Sequence, residues 1–308
     1  MNYTLGIVHA PIWEGQKKPG VAFGPSTMEE FGINQFLFDL GANFKVFKKP
    51  ESTEFVYGQP DQLEQKYKEI FQLVDHAFWE SLLPITLGGD HSLAMASVSA
   101  VLKHYPRTGI LWVDAHADIN TFESSPSGNL HGMPVAALAG IISREEMFKG
   151  EWMRTNLDLK QIVYIGLRDV DEGEYKILKD HNVLYYTSEQ VHNGSLAQII
   201  AESKAHFVKH GFTEGLHLSF DIDALSSELV PATGTPVPKG LTFAELEELI
   251  KNIKNTFRLI SVDCVEFNPE KVSDPKEVLK TYSAIQTFFR LLLSHPSPVV
   301  DRHPLEKI

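Results

Sequence analysis

The stretch that decides the fold reads Gly109-Ile110-Leu111-Trp112-Val113-Asp114-Ala115-His116-Ala117-Asp118. Its first half is apolar and typical of a buried strand, and its second half carries a polar side chain at every second position. Residues i, i+2 and i+4 of an extended chain share one face, so Asp114, His116 and Asp118 are predicted to point the same way. The stretch therefore predicts a strand that ends in a set of metal ligands.

Two further segments repeat this arrangement of an apolar run followed by polar side chains. Leu218-Ser219-Phe220 leads into Asp221-Ile222-Asp223, and Ile85-Thr86-Leu87 leads into Gly88-Gly89-Asp90-His91-Ser92. Open α/β sheets bind ligands beyond the carboxyl ends of their strands, so we expect the three strand ends to meet at one crevice. The predicted metal ligands are His91, Asp114, His116, Asp118, Asp221 and Asp223.

Along the whole chain, short aliphatic or β-branched runs alternate with longer segments of helical period, which is typical of an α/β fold with a mostly parallel sheet. We predict strands near residues 3–9, 43–47, 83–87, 109–113, 161–166, 183–186, 215–220 and 259–264. A first helix is expected to begin at Ser26, because Ser26 and Glu29 have the spacing of a capping box. Further helices are predicted at residues 61–80, 92–104, 173–181, 195–210, 243–256 and 275–293. No linker or repeat interrupts this pattern, so residues 1–308 are predicted to form a single domain.

Composition excludes several classes of protein. The formal net charge of −12 argues against a nucleic-acid partner and is compatible with a cationic substrate. The single cysteine, Cys264, rules out an intramolecular disulfide framework and fits a reducing compartment. The first residues have neither a basic segment nor a long apolar run, so we expect no export and no membrane insertion. A cytoplasmic location is predicted.

The candidate ligands indicate which metal they hold. Four carboxylates and two imidazoles form an oxygen-rich set, which suits Mn²⁺ better than Zn²⁺, the ion that prefers sulfur and nitrogen. Without cations the clustered carboxylates would repel one another, so we predict two divalent ions. Ions about 3.5 Å apart would share a water, lower its pKa towards ~7 and produce a hydroxide nucleophile. The alternative, an Asp that merely caps a helix, accounts only for the first member of Asp-x-His-x-Asp.

Four segments resemble, in order and spacing, the signatures of the ureohydrolase family, which comprises the manganese-dependent arginases and agmatinases. They are Gly88-Gly89-Asp90-His91-Ser92, Asp114-Ala115-His116-Ala117-Asp118, Ser219-Phe220-Asp221-Ile222-Asp223 and Glu266-Phe267-Asn268-Pro269. The resemblance runs from about Gly6 to the last predicted helix and is closest to the arginases. It implies a three-layer α/β/α sandwich around a mostly parallel sheet, two Mn²⁺ ions and hydrolysis of a guanidino group.

The same resemblance implies how the ligands are divided between the ions. Asp114 and Asp221 would bridge both, His91 and Asp118 would complete one site, and His116 and Asp223 would complete the other. It also implies that the chain forms a homo-oligomer, a trimer or a hexamer.

The segment from Asn120 to Pro134 is a polar loop rich in Gly, Pro and Ser, directly after the metal ligands. Short hydroxyl and amide donors at a crevice rim can bind a carboxylate. The stretch Ser127-Gly128-Asn129-Leu130-His131-Gly132 resembles the arginase loop that recognises the α-carboxylate and α-amino group of arginine. On that basis, the carboxylate contacts are Asn120, Ser125 and Ser127, and Asn129 meets the amino end. A loop without a ligand role is the alternative.

A second segment, Ile165-Gly166-Leu167-Arg168-Asp169-Val170-Asp171-Glu172-Gly173-Glu174, resembles the arginase segment that meets the α-ammonium group. Asp171 and Glu174 are therefore candidate contacts of that group. Acidic residues in the first turn of a helix are also ordinary partners of the helix dipole, and for Glu174 this alternative stays open.

The remaining candidates supply a proton carrier and an anchor for the guanidinium. His131, with an ordinary pKa of about 6.5, is suited to move protons between solvent and the metal-bound water, an assignment that depends on the resemblance. Glu266 follows an apolar strand and is predicted to pair with the guanidinium through both oxygens. Thr235 is a candidate for a hydrogen bond with the attacked group or its neighbours. In the predicted mechanism Asp118 passes a proton to the departing amine.

These expectations combine into one predicted reaction, the hydrolysis of L-arginine to L-ornithine and urea by a metal-bridging hydroxide. An agmatinase, a guanidino-acid hydrolase or a formimidoylglutamase would share the metal centre without needing a loop that binds the α-carboxylate. A non-catalytic homologue is the third possibility, although a complete ligand set argues against it. The sequence departs from the family pattern at Ala224-Leu225-Ser226-Ser227, where Asp-Pro is usual, and at Lys239, where a glycine is common.

Overall fold

The computed structural model describes residues 4–48 and 60–294 of the 308-residue chain. Within these ranges the strands are β1 (Thr4–Ala10), β2 (Asn43–Phe47), β3 (Leu83–Gly88), β4 (Gly109–Val113), β5 (Ile162–Leu167), β6 (Leu184–Thr187), β7 (Leu216–Asp221) and β8 (Leu259–Val265). Each lies within a residue or two of a predicted strand. The predicted start of the first strand at Tyr3 falls outside the described residues.

The helices of the described residues are α1 (Gly24–Glu30), α2 (Ile33–Asp39), α3 (Pro60–Trp79), α4 (Ala94–His104), α5 (Pro134–Leu138), α6 (Arg144–Met147), α7 (Glu172–Asp180), α8 (Ser188–Asn193), α9 (Leu196–His210), α10 (Phe243–Thr256) and α11 (Pro275–Leu293). Apart from a few residues at their ends, the predicted long helices are confirmed, and the short helices α5, α6 and α8 were not predicted. In this part of the chain, no helix combines the length and apolar character that spanning a membrane requires.

The eight strands form one sheet in the order β2-β1-β3-β8-β7-β4-β5-β6, and every described pair is parallel. Parallel sheets are covered on both faces, which explains why the central strands are continuously apolar. Every residue of β4 is buried, for example. The strands that precede the polar motifs, β3, β8, β7 and β4, are neighbours at the centre of the sheet. Their carboxyl ends therefore meet at one edge.

Helices cover both faces of this sheet and give three layers. On one face α3, α4, α5 and α7 pack against the sheet, with Trp112 among the buried side chains of that layer. On the other face lie α1, α2 and α8 to α11, where the rings of Phe220 and Phe288 stack with centroids 4.2 Å apart. The predicted three-layer α/β/α sandwich is confirmed, and within the described residues the sheet is wholly parallel.

The predicted start of the first helix at Ser26 is wrong. The helix begins at Gly24, and Ser26 Oγ donates to the carbonyl oxygen of Phe23 at 3.1 Å instead of capping. Two residues, Gly24 and Pro25, are suited to the positions at which the helix begins. Pro25 is suited to the first turn because it lacks an N–H, and a side chain on Gly24 would lie 2.5 Å from the carbonyl oxygen of Phe267.

Candidate active site

One half of the predicted metal site forms around His91, the first residue of a 3-10 turn after β3. Its Nδ1 lies 2.9 Å from Asp114 Oδ2, 3.1 Å from Asp118 Oδ2 and 3.4 Å from Asp221 Oδ2. All four side chains are buried. The ends of β3, β4 and β7 thus place an imidazole nitrogen among three carboxylates.

The other half forms around His116. Its Nδ1 lies 3.1 Å from Asp223 Oδ2 and 3.4 Å from Asp114 Oδ1. Asp114 therefore belongs to both halves, with Oδ2 towards His91 and Oδ1 towards His116. Two triads, His91 with Asp114 and Asp118, and Asp114 with His116 and Asp223, each have ligand atoms within 4.8 Å of one another.

The six residues converge, but not for the reason that the sequence suggested. Strand β4 ends at Val113, so Asp114, His116 and Asp118 are not on one face of an extended strand. The chain bends after Val113, and Asp118 has a φ of 51°, in the left-handed region that Asp tolerates better than most residues. In the same way, Asp223 lies in a 3-10 turn after β7. Turns rather than strand periodicity bring the ligands together.

Burial raises the pKa of three of the four carboxylates, Asp118, Asp221 and Asp223, whereas hydrogen bonds with His116 and His91 outweigh burial and lower the pKa of Asp114. Burial, together with repulsion from Asp223 and Asp114, raises the pKa of Asp221 well above its ordinary value. Burial and the neighbouring Asp114 raise the pKa of Asp118 to about 6. Clustered buried carboxylates are costly unless cations neutralise them. With four carboxylates and two imidazoles, the residues present fit a pair of divalent cations.

Glu266 lies beside this cluster, directly after β8. Its Oε1 accepts hydrogen bonds from the backbone N–H of His91 at 2.9 Å and from His131 Nδ1 at 3.3 Å, and its Oε2 accepts one from Gln16 Nε2 at 2.8 Å. Burial alone would raise the pKa of Glu266, but the bonds from His131 and Gln16 lower it. Burial opposes the charged form of His131, yet Glu266 raises its pKa above the ordinary value. Each group therefore favours the charged form of the other.

The predicted amino-acid contacts form two groups at the rim. Asn120 is buried, donates from Nδ2 to Asp171 Oδ2 at 2.8 Å and accepts from Ser124 Oγ at 2.8 Å. Ser125 and Ser127 lie further along the loop with their hydroxyl oxygens 3.4 Å apart. No direct hydrogen bond joins the two groups within residues 4–48 and 60–294.

Asn129 and Glu174 occupy different surroundings. Asn129 is half-buried, and its backbone N–H donates to Ser127 Oγ at 3.2 Å. Glu174 is buried, and its two oxygens accept from the backbone N–H groups of Ile119 and Asp171, each at 3.0 Å. Burial and the nearby Asp118 raise the pKa of Glu174 to about 8. Glu174 thus joins the start of α7 to the segment that carries the candidate ligands Asp114, His116 and Asp118.

Comparison with known proteins agrees with this geometry. Residues 3–289 match the model of the arginase family. The chain belongs to the arginase family. An alignment of 312 positions with the arginase of Saccharomyces cerevisiae gives 38% identity and covers 92% of each of the two chains.

Solved arginase structures share the fold. The crystal structure of arginase from Bacillus subtilis is 29% identical in sequence to this chain and superposes on it with a TM-score of 0.82. The superposition covers 92% of this chain and 98% of the Bacillus subtilis chain. The arginase of Entamoeba histolytica, solved in complex with L-ornithine, is 30% identical, covers 94% of this chain and 99% of its own, and gives a TM-score of 0.77. The family resemblance of the four motifs is confirmed.

Several supporting residues of this arginase-family site were missed at the level of sequence. Ser219 Oγ lies 2.8 Å from His91 Nε2, and Trp112 stacks on the His91 ring while its Nε1 donates to Asp114 Oδ2 at 3.0 Å. Ser219 lies two positions before Asp221, and Trp112 lies two positions before Asp114. This spacing is the signal in the sequence that points to them. Thr235, a predicted substrate contact, donates from Oγ1 to Asp223 Oδ2 at 3.0 Å.

The departures from the family pattern lie around Arg168. Its guanidinium donates to the carbonyl oxygens of Asp223 at 2.5 Å, Ala224 at 3.3 Å and Val237 at 3.0 Å. These bonds join the turn of the candidate ligand Asp223 to the loop that precedes Lys239. Lys239 itself has a φ of 61°, a conformation that favours glycine. The lysine at this position is therefore held in a strained backbone.

Proposed function

We propose that this protein is an arginase, which hydrolyses the guanidino group of L-arginine and releases L-ornithine and urea. The main support for the proposal is that the two candidate ligand triads share Asp114 and that the buried carboxylate of Glu266 lies beside them. Relatives named arginase cover nearly the whole chain, which supports the same activity.

The metal ligands are proposed in the arrangement that the family resemblance implies. His91 and Asp118 would hold one cation, His116 and Asp223 the other, and Asp114 and Asp221 would contact both. The oxygen-rich donor set supports Mn²⁺ as the ion. When bound, two divalent cations would supply an activated water as nucleophile and would stabilise negative charge that develops on the substrate.

The residues around the cluster would orient the substrate and move protons. Glu266 would hold the guanidinium so that its carbon faces the cluster. His131, whose side chain is 17% exposed, bonds Glu266 on one side and reaches solvent on the other, which suits a proton carrier. Asp118 would pass a proton to the departing amine. Thr235 would hold Asp223 in place through its one donor hydrogen, and its oxygen would accept a hydrogen bond from an N–H of the attacked group.

The rim would recognise the amino-acid end. Ser125, Ser127 and Asn120 are proposed to bind the α-carboxylate, and Asn129 the amino end. Asp171 is proposed to meet the α-ammonium group, with Glu174 holding its backbone. Hydroxyl and amide groups at the rim support an amino-acid substrate over agmatine, which has no carboxylate.

We further propose that residues 1–308 form one domain and that the protein acts in the cytoplasm as a homo-oligomer, a trimer or a hexamer. The family match over residues 3–289 supports a single domain. Cys264 is buried in the core and needs no disulfide partner, which is compatible with a reducing compartment.

The test is urea release from L-arginine and, separately, from agmatine, by protein loaded with Mn²⁺. We expect turnover of arginine and little or none of agmatine, because the rim contacts have no partner on agmatine. Metal-stripped protein is the control and should be inactive. Turnover of agmatine in preference to arginine, or of neither compound, would refute the proposal.

A further inference from the structure

Gln16 is a buried amide beside the proposed guanidinium anchor, and neither acceptor position of its carbonyl oxygen is used among the described residues. The side chain is 2% exposed, and its Nε2 donates to Glu266 Oε2 at 2.8 Å. Its Oε1 has no hydrogen-bond partner among the described residues. A buried carbonyl oxygen without a donor is costly, so a donor is expected to meet it when the site is occupied.

Glu266 cannot bind a guanidinium through both oxygens while its present bonds persist. A carboxylate has about four acceptor positions, two on each oxygen. Both positions of Oε1 are filled, by the backbone N–H of His91 and by His131, and one position of Oε2 is filled by Gln16. A single position on Oε2 is left. One edge of a guanidinium presents two parallel N–H groups. Because Glu266 has one acceptor position left, a second acceptor is needed.

Gln16 Oε1 and Glu266 Oε2 both lie against the backbone of Gly234. A Cβ built on Gly234 would lie 2.8 Å from Gln16 Oε1 and 2.5 Å from Glu266 Oε2. Only glycine at position 234 therefore allows both oxygens to keep their positions. The backbone of Gly234 is held in place, because its N–H donates to the carbonyl oxygen of Glu266 at 3.3 Å and its own carbonyl accepts from Lys18 Nζ at 2.9 Å.

The loop that carries Gln16 is fixed by the site itself. The backbone N–H of Gly15 donates to Asp90 Oδ2 at 2.8 Å, and its carbonyl accepts from the backbone N–H of His131 at 3.1 Å. Asp90 precedes the metal ligand His91, and His131 is the proposed proton carrier. The position of Gln16 is therefore set before a substrate arrives, which lowers the entropic cost of using it.

We propose that Gln16 is a substrate contact: its Oε1 accepts one N–H of the guanidinium while Glu266 Oε2 accepts the neighbouring one. This inference rests on the proposed guanidino hydrolysis. An amide oxygen suits the position because it accepts a hydrogen bond without placing a second negative charge against Glu266. The pair selects a ligand with two parallel N–H donors.

The first test is Gln16→Met, which keeps the length of the side chain and removes its polar atoms. We expect kcat/KM for L-arginine to fall roughly 10- to 100-fold, the effect of losing a hydrogen bond to a charged group. The inhibition constant of L-norvaline, which has the amino-acid end but no side-chain nitrogen, should stay within about twofold. A kcat/KM equal to that of the wild type overturns the inference, and so does an equal weakening of norvaline.

The second test, Gly234→Ala, keeps the Gln16 side chain but places a methyl group 2.8 Å from its Oε1 and 2.5 Å from Glu266 Oε2, so both oxygens must shift. The backbone of Gly234 is outside the left-handed region, so alanine is compatible with it. We expect the same selective loss with arginine, and wild-type kinetics would overturn the inference. If the wild type hydrolyses agmatine rather than arginine, the proposed function fails while the effect of Gln16→Met on agmatine still tests this contact. If it hydrolyses neither, both proposals fall.

Discussion

The metal-ligand cluster and the rim loop both follow β4, yet they are built differently. The cluster consists of His91, Asp114, His116, Asp118, Asp221 and Asp223, and all are buried except His116, which is 21% exposed. The rim loop, residues 120–131, carries Ser127 exposed and is held largely by bonds between residues two to four apart. The cluster is joined across strands that lie far apart in sequence, and the rim loop is mostly joined to itself.

This difference assigns separate roles to the two regions. Strand ends at the centre of a parallel sheet are held on both faces, so the cluster has a fixed geometry suited to the reaction. A loop held by local bonds tolerates substitution, so it is suited to setting which substrate enters. We expect changes in the cluster to abolish the chemistry and changes in the rim loop to alter substrate choice.

The largest effect is expected for Asp118→Asn in the cluster. Residues that merely support a metal ligand cost about 10- to 100-fold when removed, so loss of a direct ligand should lower kcat/KM by more than about 100-fold. Urea release and metal content per subunit measure the effect. Asp274→Asn is the matched control, because Asp274 caps α11 and Asn caps a helix equally well. Activity retained in Asp118→Asn would show that Asp118 is not a ligand.

A smaller effect is expected for Ser219→Ala, which removes the partner of His91 Nε2. Metal affinity, measured by competition with a chelator, should fall about 10- to 100-fold because the His91 ring loses its orientation. Ser203→Ala is the control, since within the described part of the chain that buried hydroxyl bonds only the carbonyl oxygen of Ile199 in α9. Unchanged affinity would mean that packing against Trp112 alone orients His91.

In the rim loop, Ser125→Ala combined with Ser127→Ala should raise KM for arginine roughly 10-fold, the cost of losing hydrogen bonds to a carboxylate. The value of kcat should change by less than about threefold, because the groups that react are not touched. Agmatine serves as the control substrate, since it has no carboxylate to lose. An unchanged KM for arginine would show that Ser125 and Ser127 do not bind the substrate carboxylate.

The smallest effect concerns Lys239, which lies near the cluster but outside both regions. Lys239→Gly should stabilise the protein by about 0.5–1 kcal/mol, because glycine adopts a positive φ without strain. The expected rise in Tm is about 2 °C. The same change at the exposed Lys209 in α9 is the control and should destabilise by about 1 kcal/mol. A fall in Tm for Lys239→Gly would show that the lysine side chain contributes contacts of its own.

The sequence predicted those parts of the molecule that depend on local pattern. Strand β4 and helices α10 and α11 have the predicted bounds, because apolar periodicity is a local property. The sequence also predicted the six candidate ligands that lie together in the structure, although the chain brings Asp118 to His91 by a bend with positive φ that no spacing reveals.

Contacts between distant segments were beyond reach from sequence alone. Gln16 bonds Glu266 across 250 positions of the chain, and its loop carried no recognisable signal. The start of α1 was wrong for a similar reason, since the close approach of Gly24 to the Phe267 carbonyl depends on tertiary packing. Such contacts follow from the packed fold rather than from the pattern of one segment.

The most direct test of the account is the metal content of the wild-type protein and the position of the metal in a crystal. We predict close to two manganese ions per subunit and two anomalous-scattering peaks about 3.5 Å apart, one on each side of Asp114. A single ion, no ion, or peaks remote from Asp114 would contradict it.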